Sequence, residues 1–164
     1  MKPRPASTMR PASPERQLAR FLTKYDAHVR AVAKQALGSM RARLPGAVEL
    51  VYDSYNNLAV AFGPSERVGD AVFSITLYPR WVSLFFTHGA GLPDPHGLLQ
   101  GDGTRIRHIV LDDASVLERP AVRRLMAAAL ERAGMNPARA APNRIVIKSV
   151  SPRQRPRRPT RGKT

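Results

Sequence analysis

Two histidines and a carboxylate lie close together between residues 87 and 96. Imidazole nitrogens and a carboxylate oxygen can ligate zinc or ferrous iron, so His88, Asp94 and His96 are the first candidates for chemistry. Pro93 and Pro95 interrupt this stretch, however, and no helix or strand sets the spacing of the ligands. We therefore favour a polar turn with surface histidines, and we predict neither a metal site nor a cofactor.

A glycine-rich turn at residues 101–104 is followed by two arginines. Phosphate-binding turns place such glycines before the N-terminus of a helix, whereas these precede a strand-like stretch, which indicates a tight turn. Arg105 and Arg107 could still hold an anionic ligand, because a guanidinium group can bind an anion through two parallel hydrogen bonds. His108 falls on the opposite face of the strand from Arg107, where we expect it to pack in the core.

Aromatic and amide side chains form a second group of candidates. Tyr52 and Asn56 belong to a cluster around one polar turn, and Trp81 alternates with Phe85 along a later strand. If Val82, Leu84 and Phe86 face the helices, Trp81 and Phe85 face the open side of the sheet. Rings and guanidinium groups there could bind nucleic acid by stacking and phosphate contact, line a small-molecule pocket or form a protein interface.

These candidates define one predicted binding site, on the open sheet face and the loop formed by residues 88–104. Its partner is an unidentified small ligand or protein. The predicted ligand-binding residues are Tyr52, Asn56, Trp81, Arg105 and Arg107.

The sequence contains no pattern typical of a catalytic centre. It has no cysteine, which excludes thiol nucleophiles, disulfides and iron–sulfur clusters. We find neither a paired-carboxylate site nor a Ser/His/Asp signature, and the adjacent acids Asp112 and Asp113 are more typical of a strand end and a helix cap. We therefore predict a binding protein without catalytic residues, not an enzyme.

Positive charge dominates the chain, with 27 Lys and Arg against 12 Asp and Glu and a net charge of +15. Residues 151–164 contain six basic residues and no acidic ones, and both ends are rich in proline. Such segments bury too little apolar surface to fold. We therefore predict disordered basic tails at residues 1–13 and 151–164, with a single domain at residues 14–150.

No apolar stretch approaches the ~20 residues that a membrane-spanning helix needs. The first 14 residues include four prolines, which disfavour the amphipathic helix of a mitochondrial targeting peptide, and they lack the apolar core of a secretory signal. We therefore expect a cytoplasmic protein with no membrane partner.

The spacing of apolar residues predicts three helices, at residues 13–25, 26–44 and 120–134. Strands are predicted at residues 48–52, 58–62, 72–78, 81–86 and 105–111, and residues 145–147 fit either an edge strand or a packed tail. Mostly short loops join these strands, which favours antiparallel pairing. We therefore predict an α+β fold, with an antiparallel sheet of about five strands and the N- and C-terminal helices packed on one face.

Three segments resemble the YdhG-like family, whose domains have no assigned function. They run from Leu50 to Pro64, from Leu77 to Phe86 and from Leu92 to Ile109. The resemblance covers roughly residues 18–134. It implies a small α+β domain with a frataxin-like sandwich, and it brings no catalytic role.

The resemblance also leaves an alternative function open, because some relatives are described as intracellular iron chaperones. Frataxin-type iron binding uses an acidic helix, whereas residues 14–44 carry only Glu15 and Asp26 as acids. A further alternative is weak, non-specific association of the basic tails with nucleic acid.

Overall fold

The computed structural model describes residues 11–137 and 142–159. Within these ranges it contains three α-helices, which are α1 (Pro14–Thr23), α2 (Ala27–Arg43) and α3 (Pro120–Ala133). Its six strands are β1 (Val48–Asp53), β2 (Leu58–Gly63), β3 (Phe73–Leu77), β4 (Val82–Phe86), β5 (Arg107–Leu111) and β6 (Arg144–Val150). The α+β class predicted from the sequence is therefore confirmed. None of the described helices is both long and apolar enough to cross a membrane.

Local capping signals set the ends of the helices. The Ser13 side chain accepts a hydrogen bond from the backbone N–H of Arg16, and the Asp26 side chain accepts one from the N–H of Val29. Gly134 ends α3 with a φ of 67°, a left-handed conformation that costs glycine little. The three helices predicted from the sequence are therefore confirmed.

The strands form one mixed sheet in the order β5-β4-β3-β2-β1-β6. The pairs from β1 to β5 are all antiparallel, as predicted, but β6 lies parallel to β1. The expectation of about five antiparallel strands is therefore incomplete. The sixth strand can be parallel because a long connection precedes it. After β5 the chain returns through α3 to the opposite edge of the sheet, where β6 pairs with β1.

Buried side chains from all three helices join one face of the sheet in a single apolar core. Along the strands this face takes every second residue, as the pleat requires. The core includes Leu22 of α1, Leu37 of α2, Leu125 of α3 and the sheet residues Phe62, Phe73 and Phe86. A much smaller apolar cluster lies on the other face, around Leu50 and Ala61. Packing against the helices therefore determines which strand residues are covered.

Two fully buried carboxylates lie on the helix-facing side of β1. Glu49 accepts hydrogen bonds from Arg41 Nε and Nη2 of α2, both at 2.9 Å. Asp53 is paired with Lys24 Nζ, just after α1, at 3.0 Å and with Arg157 Nη2 at 2.9 Å. A buried charge is costly unless it is paired, so these contacts hold α1, α2 and the residues around Arg157 against β1.

Residues 151–159, which we call the C-terminal segment, pack against the end of the sheet where β1 turns into β2. The Ser151 N–H donates to the carbonyl of Asp53 and the Arg155 N–H to that of Tyr55, both at 2.8 Å. The Arg157 side chain is only 4% exposed. The prediction of a disordered tail therefore does not hold for residues 151–159, because buried Asp53 needs a cation and Arg157 supplies it. The remaining parts of the predicted tails, residues 1–10 and 160–164, lie outside the described residues.

Replacing Arg157 with alanine should destabilise the fold and release the C-terminal segment. The substitution leaves Asp53 buried with one cationic partner fewer, a change that costs about 3 kcal/mol in comparable buried pairs. Urea denaturation should show this loss, and amide hydrogen exchange at Ser151 and Arg155 should accelerate. The matched control is Arg153→Ala, an exposed arginine in the same segment. Equal stability of the two variants would show that the ion pair does not anchor the segment.

The fully buried Tyr25 makes the free energy of unfolding depend on pH in the alkaline range. Its hydroxyl donates to the carbonyl of Leu77 at 3.2 Å. Burial raises the pKa of Tyr25 from 10.0 to about 12, with the Arg157 charge opposing the shift and Asp53 adding to it. A folded-state pKa above the unfolded value means that the fold favours the protonated phenol. This contribution is complete below pH 10 and is lost as the pH rises through about 12.

The Tyr25→Phe variant should therefore lose stability less steeply than the parent between pH 10 and 12. A shift of this size corresponds to roughly 2 to 3 kcal/mol at most. The check is a series of urea titrations across this pH range, with the exposed Tyr55→Phe variant as control. Parallel stability curves for the parent and Tyr25→Phe would contradict the assignment.

Candidate functional site

Four of the five predicted ligand-binding residues are divided between the two ends of the sheet. Asn56 lies in the turn between β1 and β2, and Trp81 lies in the turn between β3 and β4, at one end. Arg107 pairs with Phe86 at the other end, and Arg105 lies in the loop that precedes β5. A five-residue strand separates these ends by roughly 13 Å. The predicted residues therefore do not form one site.

Arg107 lies on the helix-facing side of β5, not on the open side. Ile109 and Leu111 follow it at every second position, so they share its face, and both are buried in the main core. The prediction that Arg107 lies on the open face is therefore wrong. Its Nη1 donates to the carbonyls of Gly103 and Ile106, at 2.5 and 2.8 Å, which ties the side chain to its own loop. His108, expected in the core, instead takes the alternate face.

The open face of the sheet is lined by small hydroxyl side chains and rings. Tyr52 is half-buried there, and burial raises the pKa of its phenol. Phe85 and His108 pack against each other with ring centroids 5.2 Å apart. Ser83 is buried on this face, and its hydroxyl has no hydrogen-bond partner within the described chain. Arg107, which the sequence predicts on this face, lies on the opposite one.

The candidate metal ligands of the loop at residues 88–104 do not lie together. The Asp94 carboxylate accepts the backbone N–H groups of Leu98 and Leu99, both at 2.9 Å. His88 lines a cleft of about 440 Å³ beside α3, whereas His96 lines another of about 170 Å³. Across residues 11–137 and 142–159, no three His, Asp or Glu side chains are placed to hold one metal ion.

A cleft of about 680 Å³ lies at the end of the sheet that carries Asn56 and Trp81, and we call it the Trp81 cleft. Asn56 and Asn57 contribute from the turn after β1, and residues 78–81 contribute from the turn after β3. The other side is built by the C-terminal segment, through Arg155, Pro156, Arg158 and Pro159. Asn56 and Trp81, two of the predicted site residues, thus lie beside residues 151–159, which the sequence predicts to be part of a tail.

The Trp81 cleft presents an aromatic surface. The rings of Trp81 and Tyr78 are stacked, with centroids 4.8 Å apart and an angle of 23° between their planes. Trp81 nevertheless stays 44% exposed, which leaves much of the indole open to a further ring. Burial raises the pKa of the Tyr78 phenol, while a hydrogen bond with the Asn57 side chain opposes this shift. Asn56 is exposed, so its amide can reach a bound molecule.

Three exposed arginines surround this aromatic surface, namely Arg80, Arg155 and Arg158. The Arg155 guanidinium lies 5.6 Å from the centre of the Tyr55 ring, a cation–π contact. Arg158 Nε donates to the carbonyl of Lys24 at 3.3 Å, at the C-terminal end of α1. No acidic side chain is among the described residues that line the cleft. The arrangement is suited to a negatively charged molecule that carries a planar ring.

Sequence reasoning missed the three arginines because two of them lie in a proline-rich basic stretch that resembles a disordered tail. One signal was present in β1. Glu49, Val51 and Asp53 are every second residue of this strand, so their side chains must lie on the same face. A buried acid on that face requires a cation from elsewhere in the chain. Nothing in the pattern, however, selects Arg157 among the 27 basic residues.

Comparison with known proteins identifies no relative: no family model, no curated protein and no solved structure matches this chain.

Proposed function

We propose that this chain is a non-enzymatic binding protein, and that the Trp81 cleft holds an anionic ligand with a planar ring. The observation that carries this proposal is the position of Trp81, an exposed indole stacked on Tyr78 and bordered by three arginines. The described lining includes no acidic side chain that would repel an anion.

The two kinds of side chain in the cleft have complementary tasks. Stacking of a ring on an aromatic side chain contributes about 1–3 kcal/mol, and it tolerates different rings because each has a π-face. A guanidinium group binds a phosphate or carboxylate through parallel hydrogen bonds. Trp81 would therefore hold the ring, and Arg80, Arg155 and Arg158 would hold the charge.

This proposal moves the predicted site from the open sheet face to the Trp81 cleft. Asn56 and Trp81 stay in the proposed site, whereas Tyr52, Arg105 and Arg107 leave it because they do not line the cleft. Membership of the YdhG-like family, the frataxin-like arrangement, the cytoplasmic location and the lack of enzymatic activity stay predictions that rest on the sequence. The iron-chaperone alternative also stays a prediction, and no described cluster of ligands favours it.

The chain has a single tryptophan, so intrinsic fluorescence reports on the proposed site directly. A nucleoside 5′-monophosphate, which combines a ring with a phosphate, should quench the fluorescence of Trp81 in a saturable manner. The nucleoside alone and inorganic phosphate alone should each bind at least about tenfold more weakly, because each loses one of the two interactions.

Two arginine variants distinguish the cleft from the opposite end of the sheet. Arg80→Ala should weaken nucleotide binding about tenfold, as expected for loss of one charge-assisted contact. Arg105→Ala, which removes an exposed arginine at the far end, should bind like the parent. If Arg105→Ala weakens binding and Arg80→Ala does not, the proposed location is wrong. If the nucleotide does not bind at all, the proposed function is wrong.

A further inference from the structure

We infer, building on the proposed function, that the ligand of the Trp81 cleft is single-stranded nucleic acid and not a free nucleotide. The Trp81 cleft offers stacking and positive charge together, which are the two elements of sequence-independent single-strand binding.

The arrangement of the three arginines favours a chain of phosphates over a single phosphate group. Arg80 lies in the turn between β3 and β4, across the cleft from the C-terminal segment. Arg155 reaches over the ring of Tyr55, whereas Arg158 reaches the carbonyls at the end of α1. Arg155 and Arg158 are therefore held by different partners, whereas a pocket for one terminal phosphate would direct both guanidinium groups to the same point. Separate cations along a cleft fit a backbone with repeated charges.

Positive charge also continues beyond the cleft. Arg153 is exposed in the same segment. Lys24 and Arg157 share the one carboxylate of Asp53, so this group keeps one positive charge in excess, and the side chain of Lys24 is 42% exposed beside Gln154. A polynucleotide that leaves the cleft in this direction would meet further cations. Each neutralised phosphate releases counterions, which strengthens binding at low salt. A free nucleotide gains nothing from these outer charges.

The exposed indole of Trp81 favours a single strand over a duplex. Bases within a duplex are stacked on their neighbours and present only their edges, so they have no free face for Trp81. The bases of a single strand can stack on an aromatic ring without a sequence preference. A duplex could contact only the arginines, so its affinity should not depend on Trp81.

The test is fluorescence anisotropy with labelled single-stranded oligothymidylate and oligouridylate, each compared with unlabelled mononucleotide by competition and with a labelled duplex of equal length. The single strands should bind at least about tenfold more tightly than the mononucleotide. Their affinity should fall with salt at a logarithmic slope of about −2, as expected for roughly three neutralised phosphates. The Trp81→Ala variant should weaken single-strand binding about tenfold and leave duplex binding unchanged.

Arg80→Ala serves as a second cleft variant, and Arg105→Ala serves as the charge-matched control. If the oligonucleotides bind no more tightly than the mononucleotide, while both depend on Trp81, this inference is overturned and the proposed function stands. If single strands and duplex bind equally and neither depends on Trp81 or Arg80, the interaction is non-specific charge attraction and the inference is likewise overturned. If no nucleotide of any length binds, the proposed function itself fails.

Discussion

The ion pair between Asp53 and Arg157 joins parts of the chain that are far apart in sequence. Asp53 ends β1 on the helix-facing side and is fully buried, so it requires a cation close by. Arg157 Nη2 donates to its Oδ1 at 2.9 Å, and the guanidinium group also contacts the carbonyls of Ser54, Tyr55 and Asn57. One side chain therefore pairs with a buried acid and donates to three carbonyls of the turn between β1 and β2.

This anchor explains how a basic, proline-rich segment becomes part of a folded domain. Prolines remove backbone donors, so the segment contributes little to a regular ladder. It is held by two backbone hydrogen bonds, from Ser151 and Arg155, and by side chains. Gln154 is hydrogen-bonded to Lys24 Nζ and to the Asp53 carbonyl, and Arg158 is hydrogen-bonded to the end of α1. Arg157 faces inward, while Arg155 and Arg158 line the Trp81 cleft. The structural and the proposed binding roles thus fall on neighbouring residues.

Local rules were sufficient for most of the secondary structure. Ser13 and Asp26 cap helices, and Gly134 ends one, because each acts through neighbours only a few residues away. The position of β6 could not be predicted in the same way, since it depends on the free edge of β1 after a long connection. The face of Arg107 was misassigned for a related reason: both faces of β5 carry apolar residues, and only the pairing with β4 decides which is covered.

Only the part of the candidate site that lies on the turns after β1 and β3 could be predicted from the sequence. Asn56 and Trp81 come together because the turns after β1 and β3 must lie on the same side of an antiparallel meander. Arg105 and Arg107 lie at the opposite end for the same geometric reason, since β5 begins where β4 ends. The arginines of the C-terminal segment depend on a contact between residues 53 and 157, which no local pattern specifies.

If the Asp53–Arg157 pair holds the C-terminal segment in place to form the Trp81 cleft, the two residues must be coupled in ligand affinity, and a double-mutant cycle measures this coupling. The affinity for a nucleoside monophosphate is measured by Trp81 fluorescence for the parent, Asp53→Asn, Arg157→Gln and the double variant, with folding checked by circular dichroism. If the ion pair forms the cleft, each single variant binds more weakly and the double variant binds no more weakly than the worse single one. Unchanged affinity in all three folded variants, or strictly additive losses, would show that the ion pair does not form the cleft.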